Sequence, residues 1–336
     1  MSFDMEGDPS LAKRDSIAVL VMFFNRTECL QSVLARVREI RPQRLYLAAD
    51  GPRKKRPGEQ ETCESVRQMA LQMIEWPCEV KTLFRKEYLG CGLAVSGAIS
   101  WFFDQENEGI ILEDDCLVDE SFFDFAAELL ERYRNDERIG IISALNVAGA
   151  SVPFRYSYDF SRLLFGCWGW ASWRRVWKQF DIDCALLPDL EQNNELFFAR
   201  DYHERWFMTT SIHGIHELGN YNTWDYQLTF ANLIQSRLSI VPSVNLVQNL
   251  GDTFDGTHTP SQILHQATRS AGKIAFPLQH PPYVMPHSGY DEFYKRNIMP
   301  PPPSRAYRCL KSCAKALKLD EFIKSLKRQN RGNGHE

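Results

Sequence analysis

ILEDDCLVDESFF, residues 111 to 123, is the stretch that decides how this chain is read. A short apolar run ends in Glu113, Asp114 and Asp115, and an aromatic helix start at Phe122-Phe123 is expected to follow at once, with Asp119 and Ser121 able to cap it. Two unit charges ~4 Å apart repel by ~1 kcal/mol in water and ~4 kcal/mol at a partly buried site. Three carboxylates at the exit of a buried strand therefore serve the next helix or face something positive.

Working outward, apolar strand-like runs alternate with helix-like segments. Ile17 to Phe24 reads as a buried parallel strand, and Thr27 can cap a helix whose apolar residues Leu30, Val33, Leu34, Val37 and Ile40 keep helical spacing. Leu45 to Ala49 is a second strand, stopped by the turn signal Asp50-Gly51-Pro52. Val66, Met69, Ala70 and Met73 mark a second helix, Val80 to Phe84 a third strand, and Val95, Ala98, Ile99 and Phe102 a third helix. After the opening stretch, Phe122, Ala126, Leu129, Leu130 and Tyr133 mark a helix, and Ile139 to Ile142 a further strand. Such alternation predicts an α/β fold: a twisted, mostly parallel, Rossmann-like sheet with helices on both faces. Ligands of these sheets sit beyond the carboxyl ends of the strands.

The Asn25-Arg26 pair, Asp50 and Glu113-Asp114-Asp115 all fall just past predicted strand ends and should line one crevice. Each also has a plain structural role open to it, since Asp50 can simply serve its turn. Three polar exits on one edge favour a shared site. There is no Walker loop and no Gly-rich dinucleotide fingerprint after the first strand. Gly90 and Gly92, opening the third helix, let backbone approach a phosphate. Paired carboxylates without a phosphate loop point to a hard divalent cation bridging to a diphosphate.

Composition bounds the alternatives. The 336 residues carry a net charge of -4, so nothing global indicates nucleic acid as the partner. Nine cysteines, odd in number and scattered, lack zinc spacing and read as reduced thiols in a cytoplasmic protein. No apolar run reaches the ~18 residues of a membrane span.

Leu112-Glu113-Asp114-Asp115 before Phe122-Phe123 resembles the acidic metal-binding motif of GT-A-fold glycosyltransferases, in the Glu-Asp-Asp form of N-acetylglucosaminyltransferase I. Further stretches resemble bacterial nucleotide-diphospho-sugar transferases, some described as haemolytic-protein-like: Phe24-Asn25-Arg26, Ala49 to Pro52, Leu89 to Gly92, Trp168 to Trp173, Thr223-Trp224-Asp225 and Asn245-Leu246-Val247. The resemblance implies that Asp115 binds manganese or magnesium, and that Glu113 and Asp114 contact the donor ribose or metal-bound waters. Asn25, Arg26 and Asp50 would hold the nucleotide, with Arg85 and Gly90 close to the donor. One departure stands out: those bacterial proteins usually carry Asn-Leu-Gly where this chain has Tyr88-Leu89-Gly90. The resemblance further implies a UDP-sugar as the first donor to expect, and a glycan or lipid-linked acceptor.

The second half supplies candidates for the acceptor. Trp168, Trp170, Trp173 and Trp177 put four indoles within ten positions; the last three, at helical spacing, read as core, while Trp168 and Gly169 read as acceptor contacts. Trp224-Asp225 is expected to open a helix through Leu228, Ala231 and Leu238, with Trp224 toward the acceptor. An acid in a first helical turn is favourable without any catalytic duty. Inverting transfer nonetheless needs a carboxylate base, and the resemblance assigns that role to Asp225. His258, in a polar loop, is a further metal candidate.

Residues 276–303 are Pro-rich and read as an extended wrapping segment. From Arg305 to Arg331 nine basic residues accompany two acidic ones, with Leu319, Phe322, Ile323 and Leu326 on one helical face. That pattern fits either attachment to an anionic membrane surface, at the inner face, or a solvated terminal helix. Arg53-Lys54-Lys55-Arg56 reads as a solvated loop or a lipid-phosphate contact. The expected organisation is a GT-A-like domain over 1–275 (donor half about 15–145, acceptor half about 146–275), the wrapping segment, and a basic tail over 304–336. Two other classes stay open: a sugar-phosphate nucleotidyltransferase and a non-catalytic nucleotide-sugar-binding protein.

Overall fold

A computed structural model describes residues 14–163, 168–196, 199–218, 221–251 and 268–304. Its main sheet has eight strands: β1 (Val19–Phe23), β2 (Arg44–Ala49), β3 (Glu79–Phe84), β4 (Glu108–Glu113), β6 (Ile139–Ser143), β7 (Tyr158–Ser161), β8 (Trp170–Trp173) and β9 (Leu238–Pro242). Their spatial order is β3-β2-β1-β4-β8-β6-β9-β7. The first four are mutually parallel, β8 runs against both β4 and β6, β9 parallels β6, and β7 closes the far edge antiparallel to β9. A small second sheet pairs β5 (Cys116–Val118) with β10 (Val247–Asn249).

The fold follows from period-two burial. Val19, Val21 and Phe23 of β1 enter one hydrophobic cluster, while Leu20 and Met22 enter another on the opposite face. The first cluster is covered by α1 (Thr27–Ile40), α2 (Glu59–Gln72) and α4 (Ser121–Arg132). The second is covered by α3 (Cys91–Phe103), α5 (Arg174–Trp177), α6 (Leu187–Gln192), α7 (Tyr202–Leu218) and α8 (Asp225–Ile234). Helix α1 buries Leu30, Val33, Leu34, Val37 and Ile40, the five residues its spacing singles out, each worth about 1.5–3 kcal/mol of transfer free energy. Strand β3 is an edge, so its pattern is half-exposed rather than buried, with Glu79 and Lys81 paired on its surface.

Several local expectations are corrected. Arg26, not Thr27, occupies the cap of α1, and no side chain caps it. The aromatic helix does not follow the acidic triplet directly: β5 intervenes, held by β10, and Asp119 then accepts from Ser121 N at 2.9 Å to start α4. Trp170 to Trp173 form β8, not a helix, because pairing with β4 and β6 outweighs the 3-4 spacing; the indoles of Trp170 and Trp173 are still core. Helix α8 ends at Ile234, and Leu238 belongs to β9.

The wrapping segment is only partly extended, since α9 (Ser288–Asn297) lies within it. That helix docks through the fully buried Tyr290, whose hydroxyl accepts from Val147 N at 3.3 Å, and through Asp291, which accepts from Ser161 Oγ at 2.6 Å. Residues 305–336, and with them the proposed basic helix, lie outside the described residues. Among the described residues no helix is long and apolar enough to cross a membrane.

Candidate functional site

The carboxyl ends of β1, β2 and β4 open into a cleft of about 730 Å³. Of the expected site residues, Asn25, Arg26, Asp50, Arg85, Gly90, Glu113, Asp114, Asp115 and Trp168 line it. Their convergence follows from register: β1 sits between β2 and β4, with Phe23 opposite Ala49 and Met22 opposite Glu113, so all three strand exits discharge at one level.

The acidic triplet forms one wall. Arg26 Nη1 donates to Asp115 Oδ2 at 2.9 Å and stands 4.0 Å from Asp114 Oδ1. Phe24 N donates to Asp114 Oδ2 at 3.3 Å. One half-exposed guanidinium does not balance this wall. Burial, followed by the Asp115 charge, pushes the Asp114 carboxyl up to about 7 despite Arg26. Desolvation and the charges of Asp115, Asp114 and Asp225 raise Glu113 well above the carboxylate range. The wall is therefore short of positive charge.

Asp50 builds the opposite side. Its carboxylate accepts from Gly51 N at 2.8 Å, Leu89 N at 3.0 Å and Gly90 N at 3.0 Å, which ties the loop after β3 to the end of β2. Gly90 has φ 84°, the left-handed region that favours glycine, and caps α3 so that the helix N-terminus meets the cleft. Arg85 donates to Ala94 O at 3.2 Å, and burial lowers its pKa.

Two expected residues are placed elsewhere. Trp224 is 3% exposed and stacks on Trp170 with centroids 5.8 Å apart, so it is core and offers no face to an acceptor. Gly169 is buried too, and a Cβ there would lie 2.6 Å from Val118 Cγ1; its role in the structure is to bring β8 under β5. Asp225 opens α8, accepts from Thr223 Oγ1, and stands near enough to the acidic wall for its charge to raise Glu113. His258 lies outside the described residues.

The structure adds residues that sequence reasoning missed. Arg53, read as solvated, lines the cleft with its guanidinium over the rings of Phe24 (5.4 Å) and Tyr88 (5.8 Å). Buried Glu59 pins it, accepting from Arg53 N at 2.7 Å and Nε at 2.9 Å. Asn222, Asn249 and Gly251 also line the cleft. A Cβ on Gly251 would fall 2.3 Å from Asp115 Oδ2 and 2.8 Å from Arg26 Nη1, so only glycine lets that loop close on the ion pair. The sequence signal that could have found this loop is the Gly251-Asp252 pair, residue types that favour turns.

Among the described residues no three histidine, cysteine or acidic side chains surround a common point as a metal cage. The donor set fits a different arrangement. A hard cation that keeps waters and takes phosphate oxygens needs only one or two carboxylates. Asp115 and Asp114, on a wall short of positive charge, match that requirement.

No protein-family model and no curated protein sequence matches the chain. Solved structures similar to it include HddC from Yersinia pseudotuberculosis, at 11% identity and TM-score 0.31 over 49% of this chain and 80% of that one. HddC complexed with GMP-PN gives 11% and 0.29 over 48% and 78%. UDP-glucose pyrophosphorylase complexed with UDP-glucose gives 9% and 0.27 over 48% and 78%. At these scores the likeness carries no argument about what this chain binds or does.

Proposed function

We propose that this chain is a metal-dependent glycosyltransferase of the GT-A type, moving a sugar from a nucleotide-diphospho-sugar to an acceptor hydroxyl. The observation that carries the reading is the acidic wall Glu113-Asp114-Asp115, only partly paired by Arg26, sharing one cleft with Arg85 and the N-terminus of α3. Such a surface attracts a diphosphate at Arg85 and the helix end and repels it at the acidic wall, unless a cation joins the two. Asp115, supported by Asp114, would hold manganese or magnesium there. When bound, that ion supplies charge stabilisation for the departing diphosphate.

The chain's own residues supply the rest. Arg26 and Arg85 hold the diphosphate by charge-assisted hydrogen bonds. Asn25 contacts the nucleoside, and Asp50 acts through the Leu89-Gly90 loop it fastens. Asp225, oriented by Thr223, takes the proton from the attacking acceptor hydroxyl, which gives inversion at the anomeric carbon. Trp168 presents an apolar face to the acceptor at the cleft margin. A UDP-sugar is the first donor to try, with a glycan or a lipid-linked acceptor.

A nucleotidyltransferase is the second reading, and one neighbour, the UDP-glucose pyrophosphorylase, bears a name that fits it better than sugar transfer. With a TM-score of 0.27 that likeness has no weight. The exit of β1 favours transfer: Asn25-Arg26 leads directly into α1 at Thr27, leaving no room for a Gly-rich loop over a triphosphate.

Two incubations of the full chain with Mn²⁺ separate the readings. Nucleotide sugar plus acceptor should release nucleoside diphosphate, and Asp115→Ala should abolish it. Nucleoside triphosphate plus sugar 1-phosphate should release no pyrophosphate. Pyrophosphate without sugar transfer would establish the second reading, and a retained anomeric configuration would remove Asp225 from the base role.

A further inference from the structure

Asn25 leaves the end of β1 and lines the cleft. Its amide nitrogen donates to Glu59 Oε1 at 3.3 Å. Glu59 opens α2, is 7% exposed, and also takes the backbone N–H and the guanidinium of Arg53. With so many donors on it the carboxylate stays ionised, its pKa held down to about 2 chiefly by Arg53. An ionised carboxylate only accepts, so the amino end of Asn25 must face it. The carbonyl Oδ1 is then the end left for the cleft, and no described residue donates to it.

That fixed amide has a chemical consequence. Uracil N3 and guanine N1 carry a hydrogen on the ring edge. Cytosine N3 and adenine N1, at the same place, carry a lone pair. A carbonyl oxygen accepts from the first pair and repels the second. The same end of the cleft carries aromatic surface for a base, the Phe24 and Tyr88 rings with centroids 5.7 Å apart and planes tilted by 48°, Tyr88 being 45% exposed and Arg53 lying over both.

We infer that Asn25, oriented by Glu59, selects a donor nucleotide whose base carries a ring N–H, uracil or guanine, over one with cytosine or adenine. Glu59 is thus a positioning residue that sets specificity without touching the ligand. The inference rests on the cleft being a nucleotide-diphosphate site.

Titration calorimetry of the full chain with UDP, CDP, GDP and ADP in Mn²⁺ tests it. Pairs of equal size are compared, UDP against CDP and GDP against ADP, so cleft width cancels. The expected preference in whichever pair binds is about tenfold for the ring N–H partner, one well-placed hydrogen bond. A preference below about fivefold overturns the inference and leaves the nucleotide site standing. Binding of none of the four overturns both. Glu59→Gln can donate to Asn25 and so frees the amide to turn; its preference should fall towards one. Asn25→Ala should lose the preference as well, and an unchanged preference in either variant, folded by circular dichroism, overturns the role assigned here.

Discussion

Gly251→Ala isolates the geometry of the acidic wall from its chemistry. The new methyl would stand 2.3 Å from Asp115 Oδ2, where ordinary contact begins at 3.4 Å, so the carboxylate must retreat by about 1.1 Å. Arg26 Nη1, at 2.8 Å from the same point, must also yield, which breaks the 2.9 Å pair. Those two atoms are side-chain tips, the third contact, Asp115 Cβ at 3.1 Å, needs a shift of only a few tenths of an ångström, and Gly251 is not among the positive-φ glycines, so the backbone accepts alanine. Misplacement of a reacting group by about 1 Å costs about 10²-fold in rate, or ~2.7 kcal/mol of barrier.

Steady-state kinetics with a nucleotide sugar and Mn²⁺ should therefore show kcat/KM down by about 10²-fold. The thermal midpoint should move by no more than about 2 °C, because a loss under ~1 kcal/mol shifts a chain of this size little. Calorimetry of Mn²⁺ with nucleoside diphosphate, which needs no turnover, should show weakened binding. A variant with kcat/KM within about threefold of the parent and normal Mn²⁺ affinity would refute a role for Asp115 at the cation.

Asp225→Asn should lower kcat by about 10²–10⁴ while donor affinity stays within a few-fold, since the residue is not among those lining the donor cleft; equal losses in both would speak for a structural acid. Trp224→Ala should cost about 3–5 kcal/mol in urea titrations because the indole is packed between Trp170 and Trp177, and a loss below ~1 kcal/mol would contradict its burial. Glu59 titrates near 2 in the fold against 4.5 ordinarily. Its folded value is the lower, so its contribution is present above pH ~4.5 and is lost as pH falls towards ~2. With Arg53 35% exposed and solvent screening the pair, Glu59→Gln should lose on the order of 1 kcal/mol at pH 7 and nothing near pH 2; a gap that persists in acid would refute the ion pair as its source.

The parallel half of the sheet was legible because its signals are local. Val19 to Phe23 and the Leu30–Ile40 stripe each declare their period within a dozen residues, and a parallel sheet needs nothing else to place three polar exits on one edge. The antiparallel half was not legible. Trp170 to Trp173 carry a helical spacing, and only long-range pairing with β4 and β6 makes them a strand. Nothing near Cys116 announces its partner β10, more than a hundred positions later.

The candidate site divides in the same way. Residue type and position by themselves determined the acidic triplet at the β4 exit, with Asn25, Arg26 and Asp50 beside it, because strand ends in a parallel sheet share a level. Tertiary structure alone decided which groups already have partners. It spent Asp50 on the Leu89-Gly90 loop, sank Trp224 into the core, turned Arg53 from solvent onto Phe24 and Tyr88, and set Glu59 behind Asn25. Those outcomes depend on hydrogen bonds and packing between segments distant in sequence, and neither spacing nor composition encodes where such segments meet.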